Sequence, residues 1–137
     1  MDFIKQFHSG WAYLTILMGV IFVVSTLVYA VSKKDTDNVI KKIGLFTTIT
    51  FHLQLIIGLV YYIMRFSAFE GSGIMQNAIL RFTFLEHPMM MIAGVAFMTV
   101  ANAKLKRSTV VPMTVVVFAL VAMACILTRI PWQIWLG

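Results

Sequence analysis

Residues 11–31 read WAYLTILMGVIFVVSTLVYAV, an unbroken run without one charged side chain. A helix of about 20 such residues crosses a hydrocarbon core of ~30 Å. The run is too long for the apolar core of a secretory signal, and Asp2 offsets Lys5 ahead of it. Val28-Tyr29-Ala30 imitates a cleavage site, yet the segment reads as an anchor and not a cleaved leader.

The same reading extends along the chain. Four runs are long and apolar enough to span, at residues 8–32, 39–66, 81–103 and 109–128. Four strands cannot close a barrel in lipid, so the spans are expected to be helices. Short polar connections at Lys33–Asn38 and Lys104–Ser108 make neighbouring helices antiparallel, with Asp37 or Asn38 available as an N-cap. The expected fold is all-α: a membrane-spanning, up-down-up-down four-helix bundle forming one domain over residues 1–137. Composition agrees, because hydrophobic residues make up 61% and charged residues 12%. Soluble domains carry about 25% charged residues, which leaves this chain too little polar surface for a water-soluble globule. Between the second and third runs, Gly71, Ser72 and Gly73 interrupt the helix, and Ile74, Met75, Ile79 and Leu80 follow at helical spacing. This stretch reads as a short interfacial helix or a plain loop.

The net charge of +6 has a topological cause. Lys33, Lys34, Lys41, Lys42, Lys104, Lys106 and Arg107 flank the two short connections, whereas Lys5, Arg65, Arg81 and Arg129 lie at the other end. Short loops rich in Lys and Arg stay cytoplasmic, so both termini and the central loop face outward and nucleic acid is not an expected partner. Trp11, Tyr13, Tyr61, Tyr62, Trp132 and Trp135 all fall towards the outer interface, where such rings settle. The single Cys125 excludes an internal disulfide and reads as a small core residue.

The residues that could carry chemistry are the histidines His8, His52 and His87, each inside or at the edge of a span. Ionisable groups within a membrane are costly and mark functional sites by default, although a neutral imidazole bonding across helices is the plainer reading of any one alone. At a rise of 1.5 Å per residue, His8 and His87 both lie within roughly 10 Å of the outer helix ends. Spans one and three are diagonal in an up-down bundle, so these two rings face each other across its axis at matched depth. His52 lies deeper and could replace one of them, bond a ligand or relay a proton.

Several neighbours suit a flat, bulky guest. Ser9 and Gly10 follow His8, Gly58 is close to His52, and Gly94 lies two turns beyond His87 on the same face; each also fits simple helix packing. Arg65, Arg81 and Arg129 sit near the outer helix ends, where arginine can fork onto carboxylates or simply anchor at the interface. Glu86 could pair with one of these arginines or accept a histidine ring proton, and Pro88 either sits just inside a helix start or kinks it. Met89, Met90 and Met91 splay over three helix faces, so at most one joins any site. Gln54 reads first as a bond to a neighbouring helix and second as a quinone contact. Soluble-enzyme signatures such as a Walker loop, GxGxxG, CxxC and HExxH are absent.

The segments His8-Ser9-Gly10-Trp11, His52-Leu53-Gln54-Leu55-Ile56-Ile57-Gly58 and Glu86-His87-Pro88-Met89-Met90, with the closing Ile130-Pro131-Trp132, together resemble a family of small four-span bacterial membrane proteins named cytochrome b-like. The resemblance covers nearly the whole chain. It implies haem b, electron transfer and a bacterial inner (cytoplasmic) membrane, and it carries over His8, His52 and His87 without saying which two bind iron. The leading expectation is a bis-histidine haem protein passing electrons to or from a quinol or a partner respiratory complex, an electron carrier and not a stand-alone enzyme. His8 and His87 are the expected axial ligands, with Arg81 and Arg129 on the propionates and Gly94 beside the cofactor. Two other readings stand beside it: a copper or zinc site built from His8, His52 and His87, and a cofactor-free accessory subunit packed against other membrane subunits. The oligomeric state, a homo-oligomer included, is left open.

Overall fold

The first proline of the chain is Pro88, so nothing in the backbone chemistry interrupts the first two apolar runs. Both are single helices, α1 (Asp2–Val31) and α2 (Asn38–Phe69). The structure, a computed structural model, describes residues 2–69, 76–132 and 135; the side chains of residues 2 and 66–69 are not included. A short helix α3 (Ala78–Arg81) leads through a π-helical turn (Phe82–Glu86) into α4 (His87–Arg107), and α5 (Met113–Thr128) follows. The described residues contain no strand, only an isolated antiparallel bridge between Asp35 and Val110.

Phe3–Val31, Asn38–Arg65 and Ala78–Arg107 are helices long and apolar enough to cross a membrane. The fourth apolar helix, Met113–Thr128, is shorter at 16 residues, about 24 Å at the α-helical rise. It begins at Met113 and not near Thr109 because Pro112 lacks an N–H and forces Val111 into extended backbone. That extended segment pairs with the first connection instead: Thr36 N–H donates to the Thr109 carbonyl (2.9 Å) and Val111 N–H to that of Lys34 (3.4 Å). The other bounds differ at the outer end. α1 starts at Asp2, ahead of residue 8, and α2 runs past residue 66 to Phe69.

The expected interfacial segment divides in two. Gly71, Ser72, Gly73, Ile74 and Met75 lie outside the described residues. Ile79 and Leu80 belong to a helix that runs on into α4 rather than to a separate one. Asn77 starts it, its side-chain oxygen accepting from the Ile79 and Leu80 N–H groups at 3.0 and 3.1 Å.

The lysine-rich end is tightly finished. α1 closes in a Schellman motif, with Lys33 N–H on the Ala30 carbonyl, Lys34 N–H on that of Tyr29, and Lys33 itself left-handed at φ 52°. Of the two candidate N-caps, Asp37 takes the role: Oδ1 accepts from Ile40 N–H at 3.0 Å, and the Tyr29 hydroxyl donates to the same carboxylate. The Ile40 N–H holds the Asp37 carboxyl below the usual carboxylate range; desolvation opposes this, and Tyr29 and Lys34 add to it.

The principal packing closes a ring: α1 lies against α2 and α5, and α4 lies against the same two, so α1 and α4 are diagonal. Phe22, Ile40, Met98, Leu105 and Val115 fill the lysine-end core with essentially no exposure. Cross-helix ties include Trp11 Nε1–H to the Thr50 carbonyl (3.0 Å) and the Thr47 hydroxyl to that of Met18 (3.3 Å). Outward positions of α1, α2, α4 and α5 are apolar, as at Val24, Ile56, Ile92 and Leu120.

Candidate functional site

The half of the bundle away from the lysine loops holds a cavity of about 500 Å³ reached by α1, α2, α4 and α5. Phe51, Val95 and Ile126 form its deep end, and Lys5, Tyr61, Arg65 and Trp135 stand at its mouth. The wall of α2 recurs at helical spacing through Phe51, Gln54, Leu55, Gly58, Tyr62 and Arg65.

His8 and His87 both line this cavity, with ring centroids 6.4 Å apart and planes at 74°. They come from the diagonal helices, as depth and helix order predict. His8 packs over Gly58, where an added Cβ would stand 3.0 Å from His8 Cε1 and 3.4 Å from Nδ1. Any larger residue would push the ring back by a few tenths of an ångström. The His8 Nδ1 is buried without a hydrogen-bond partner, a costly state that a ligand would relieve.

The position of His87 follows from its successor. Pro88 sits inside the continuous helix from Ala78 to Arg107, so it has no N–H to donate and its ring crowds the carbonyl four residues back. A π turn accommodates this, with the His87 N–H reaching the Phe82 carbonyl. Pro88 therefore sits just inside the start of α4, as one expectation had it, and also interrupts the ladder of the longer helix beside the histidine. His87 Nδ1 lies 2.8 Å from the Arg129 carbonyl. A carbonyl only accepts, so Nδ1 carries the proton, and in the neutral ring Nε2 keeps its lone pair. Metal-ligating histidines are typically held in this way.

His52 stands elsewhere. It is exposed on the α2 surface, one residue off the cavity-facing row, with Nε2 2.8 Å from Thr99 Oγ1. The Thr99 hydroxyl spends its proton on the Val95 carbonyl, so His52 Nε2–H is the donor. The expected meeting of all three histidines does not occur, and no group of three or more His, Cys, Asp or Glu that could hold a metal is found among the described residues. The arrangement of His52 is the plainer one, an imidazole bonding across helices.

Arg81 and Arg129 also differ from expectation. Neither lines the cavity; their Nε atoms flank Glu86, at 3.3 Å from Oε2 and 3.6 Å from Oε1 respectively. Glu86, expected to pair with one arginine, pairs with both. Arg129 serves the site through its backbone carbonyl, while the cations at the mouth are Lys5 and Arg65. Gly94 is buried in the α4–α5 contact, where an added Cβ would meet Ile126 Cγ1 at 2.7 Å and the Ala122 carbonyl at 3.2 Å. It therefore serves helix packing, outside the cavity lining. Gln54 bonds the neighbouring helix, donating Nε2–H to the His8 carbonyl at 2.9 Å, and its buried Oε1 has no partner. Of the three methionines, Met91 alone lines the cavity.

The donor set fits a metal held between two histidines. Two imidazoles on opposite sides of one ion, at metal–nitrogen distances of about 2.0–2.1 Å, have ring centres about 6.3 Å apart. The observed spacing is 6.4 Å. Cavities of about 300–1,000 Å³ hold ligands and cofactors, and this one lies within that range. No family model matches the chain, and neither does any curated protein or solved structure.

Proposed function

We propose that the protein is an integral membrane electron carrier, an up-down-up-down bundle holding one b-type haem between His8 and His87. The observation that carries this reading is the pair itself: two imidazoles from diagonal helices, 6.4 Å apart in a largely apolar cavity. The up-down arrangement is supported by contacts that run in opposite order along neighbouring helices. His8, Trp11 and Met18 meet Gln54, Thr50 and Thr47 in turn. Insertion is supported by the three long apolar helices and the apolar outward faces. In a bacterial cytoplasmic membrane, the seven-cation end would face inward and both termini outward.

When bound, haem supplies a one-electron iron couple. His8 and His87 would hold the iron between them, and two histidine ligands favour electron transfer over oxygen activation. The Arg129 carbonyl fixes the ring proton of His87 on Nδ1, which leaves the Nε2 lone pair available to hold the iron. Deep apolar walls exclude water and tune the potential. Electrons would pass to or from a quinol or a partner respiratory complex at the outer end, where the cavity opens. The resemblance to the cytochrome b-like family is one support for the haem, and the place of His52 on the outer surface of α2 favours the other two histidines as ligands.

The test is a reduced-minus-oxidised optical spectrum of the full chain purified in detergent from haem-replete cells. A sharp α/β pair is expected. His8→Ala and His87→Ala should each abolish it, and His52→Ala should leave it intact. A colourless preparation, or a spectrum that survives His8→Ala and His87→Ala together, would overturn the reading.

A further inference from the structure

Among the described residues, the charge at the cavity mouth is unbalanced. Lys5 and Arg65 both line the cavity, and neither forms an ion pair among the described residues. The chain has five acidic residues. Asp35 and Asp37 lie in the connection at the far end, and Glu86 is held between Arg81 and Arg129. The side chains of Asp2 and Glu70 lie outside the described residues.

Arg65 is also held in position. Its Nη1–H donates to the Tyr61 hydroxyl at 3.1 Å, and its guanidinium stands over the Phe84 ring at 4.8 Å and the Tyr61 ring at 5.2 Å. Stacking occupies the faces of a guanidinium and leaves its in-plane N–H donors for a planar anion. Lys5 adds a mobile point charge, exposed at the same opening. Below both, the walls turn apolar, as at Ile16, Leu55 and Met91. Such a cavity suits a guest that is apolar in its body and anionic at one edge.

We propose that Lys5 and Arg65 bind the carboxylate edge of the cavity's guest, which for haem b is its two propionates. They, and not Arg81 and Arg129, set which edge of the guest faces the mouth. This rests on the haem reading above and goes beyond it, because two histidines alone would hold the ring in any rotation about the axis between them.

Ferric haem b and its dimethyl ester, which keeps the ring and loses both carboxylates, separate the two ideas. Each is titrated into the full-length protein purified haem-free in detergent, and binding is read from the Soret band. Wild type should bind the diacid about tenfold or more tighter than the diester. Lys5→Gln/Arg65→Gln should lose that preference by weakening the diacid alone, its unchanged diester affinity reporting an intact site. Lys5→Arg/Arg65→Lys should keep most of the preference, and Arg81→Gln/Arg129→Gln all of it. Should the glutamine pair bind neither ligand, the preference in wild type and its reduction in Lys5→Gln alone decide the matter. Equal wild-type affinity for diacid and diester overturns the carboxylate assignment and leaves the haem reading standing. A preference that survives Lys5→Gln/Arg65→Gln, or is lost with Arg81→Gln/Arg129→Gln, does the same. If wild type takes up neither ligand with a two-histidine spectrum, the haem reading itself fails and takes this assignment with it.

Discussion

Gly58→Ala should damage the site while sparing the fold. The new Cβ would stand 3.0 Å from His8 Cε1, 3.4 Å from Nδ1 and 3.8 Å from Nε2, so its three nearest neighbours all belong to that ring. Carbon atoms rest at about 3.5–4.0 Å from one another, so His8 must retreat by a few tenths of an ångström. A shift of that size takes up much of the positional tolerance of a ligand constellation, about 0.5 Å. Loss of a supporting contact to a metal-ligating histidine costs about 10–100-fold in affinity, and the same range is expected for haem here. The effect on the helix has the opposite sign. Alanine replaces glycine inside α2, a gain of about 0.8–1.0 kcal/mol in intrinsic helix stability. Haem titration and thermal unfolding of the haem-free protein in the same detergent measure the two separately. The expected result is a melting midpoint at or above wild type with haem affinity down at least about tenfold. Wild-type affinity with an unaltered spectrum would show that His8 does not act from the position over Gly58, and the geometric basis for pairing it with His87 would fall.

Two further predictions concern the lysine-rich end. Lys33 holds φ 52° at the end of α1, a conformation that costs a side-chain-bearing residue about 1–2 kcal/mol. Lys33→Gly should therefore raise the unfolding midpoint without changing haem affinity, and a lowered midpoint would refute the assignment of strain. The carboxyl of Asp37 is held below its usual range when folded, first by the Ile40 N–H. Its contribution is therefore present above the unfolded carboxylate value and is lost as pH falls through the folded one. Asp37→Asn keeps a cap acceptor but cannot titrate, so the gap in melting midpoint between wild type and variant should close on acidification. A gap that stays constant from neutral pH down through the carboxylate range would rule this out.

How much of this could be read from the sequence depends on which physical quantity was involved. Span length, the charge-poor runs and the N-cap at Asp37 are local, and all-helical character follows from them. The approach of His8 to His87 was legible because it needs only depth and helix order. Facing was harder. His52 shares its depth argument with a residue one position away, Phe51, that lines the cavity, and a rotation of 100° separates inside from outside. Aligning Phe51, Gln54, Leu55, Gly58, Tyr62 and Arg65 on one face would have placed His52 off it. The arginines show a different limit. Arg81, Arg65 and Arg129 have the same depth and chemistry, and what distinguishes them is Glu86, which lies between two of them only once the π turn has folded. Gly94 and Gly58 differ likewise: both admit a close neighbour, but one neighbour is Ile126 and the other a histidine.

The two ends of the bundle divide the work of holding and binding. At the lysine end, the paired connections, the Schellman closure and the Asp37 cap tie both loops together above a filled core. That end can hold α1–α5 in register without help from a guest. At the other end, the cavity stands between α1 and α4, the pair without principal contacts of their own, and His8 approaches His87 across it. A guest ligated by both histidines would supply the missing diagonal contact, so binding and closure of that end become one event. Any ligand that engages the folded state alone stabilises it by mass action, about 2.7 kcal/mol at a hundred times its dissociation constant. In this bundle that gain should fall on the open end, because the lysine end has little left to gain. Protection of backbone amides from exchange on haem binding should therefore increase around Gly58 and His87 and stay nearly constant around Phe22 and Leu105.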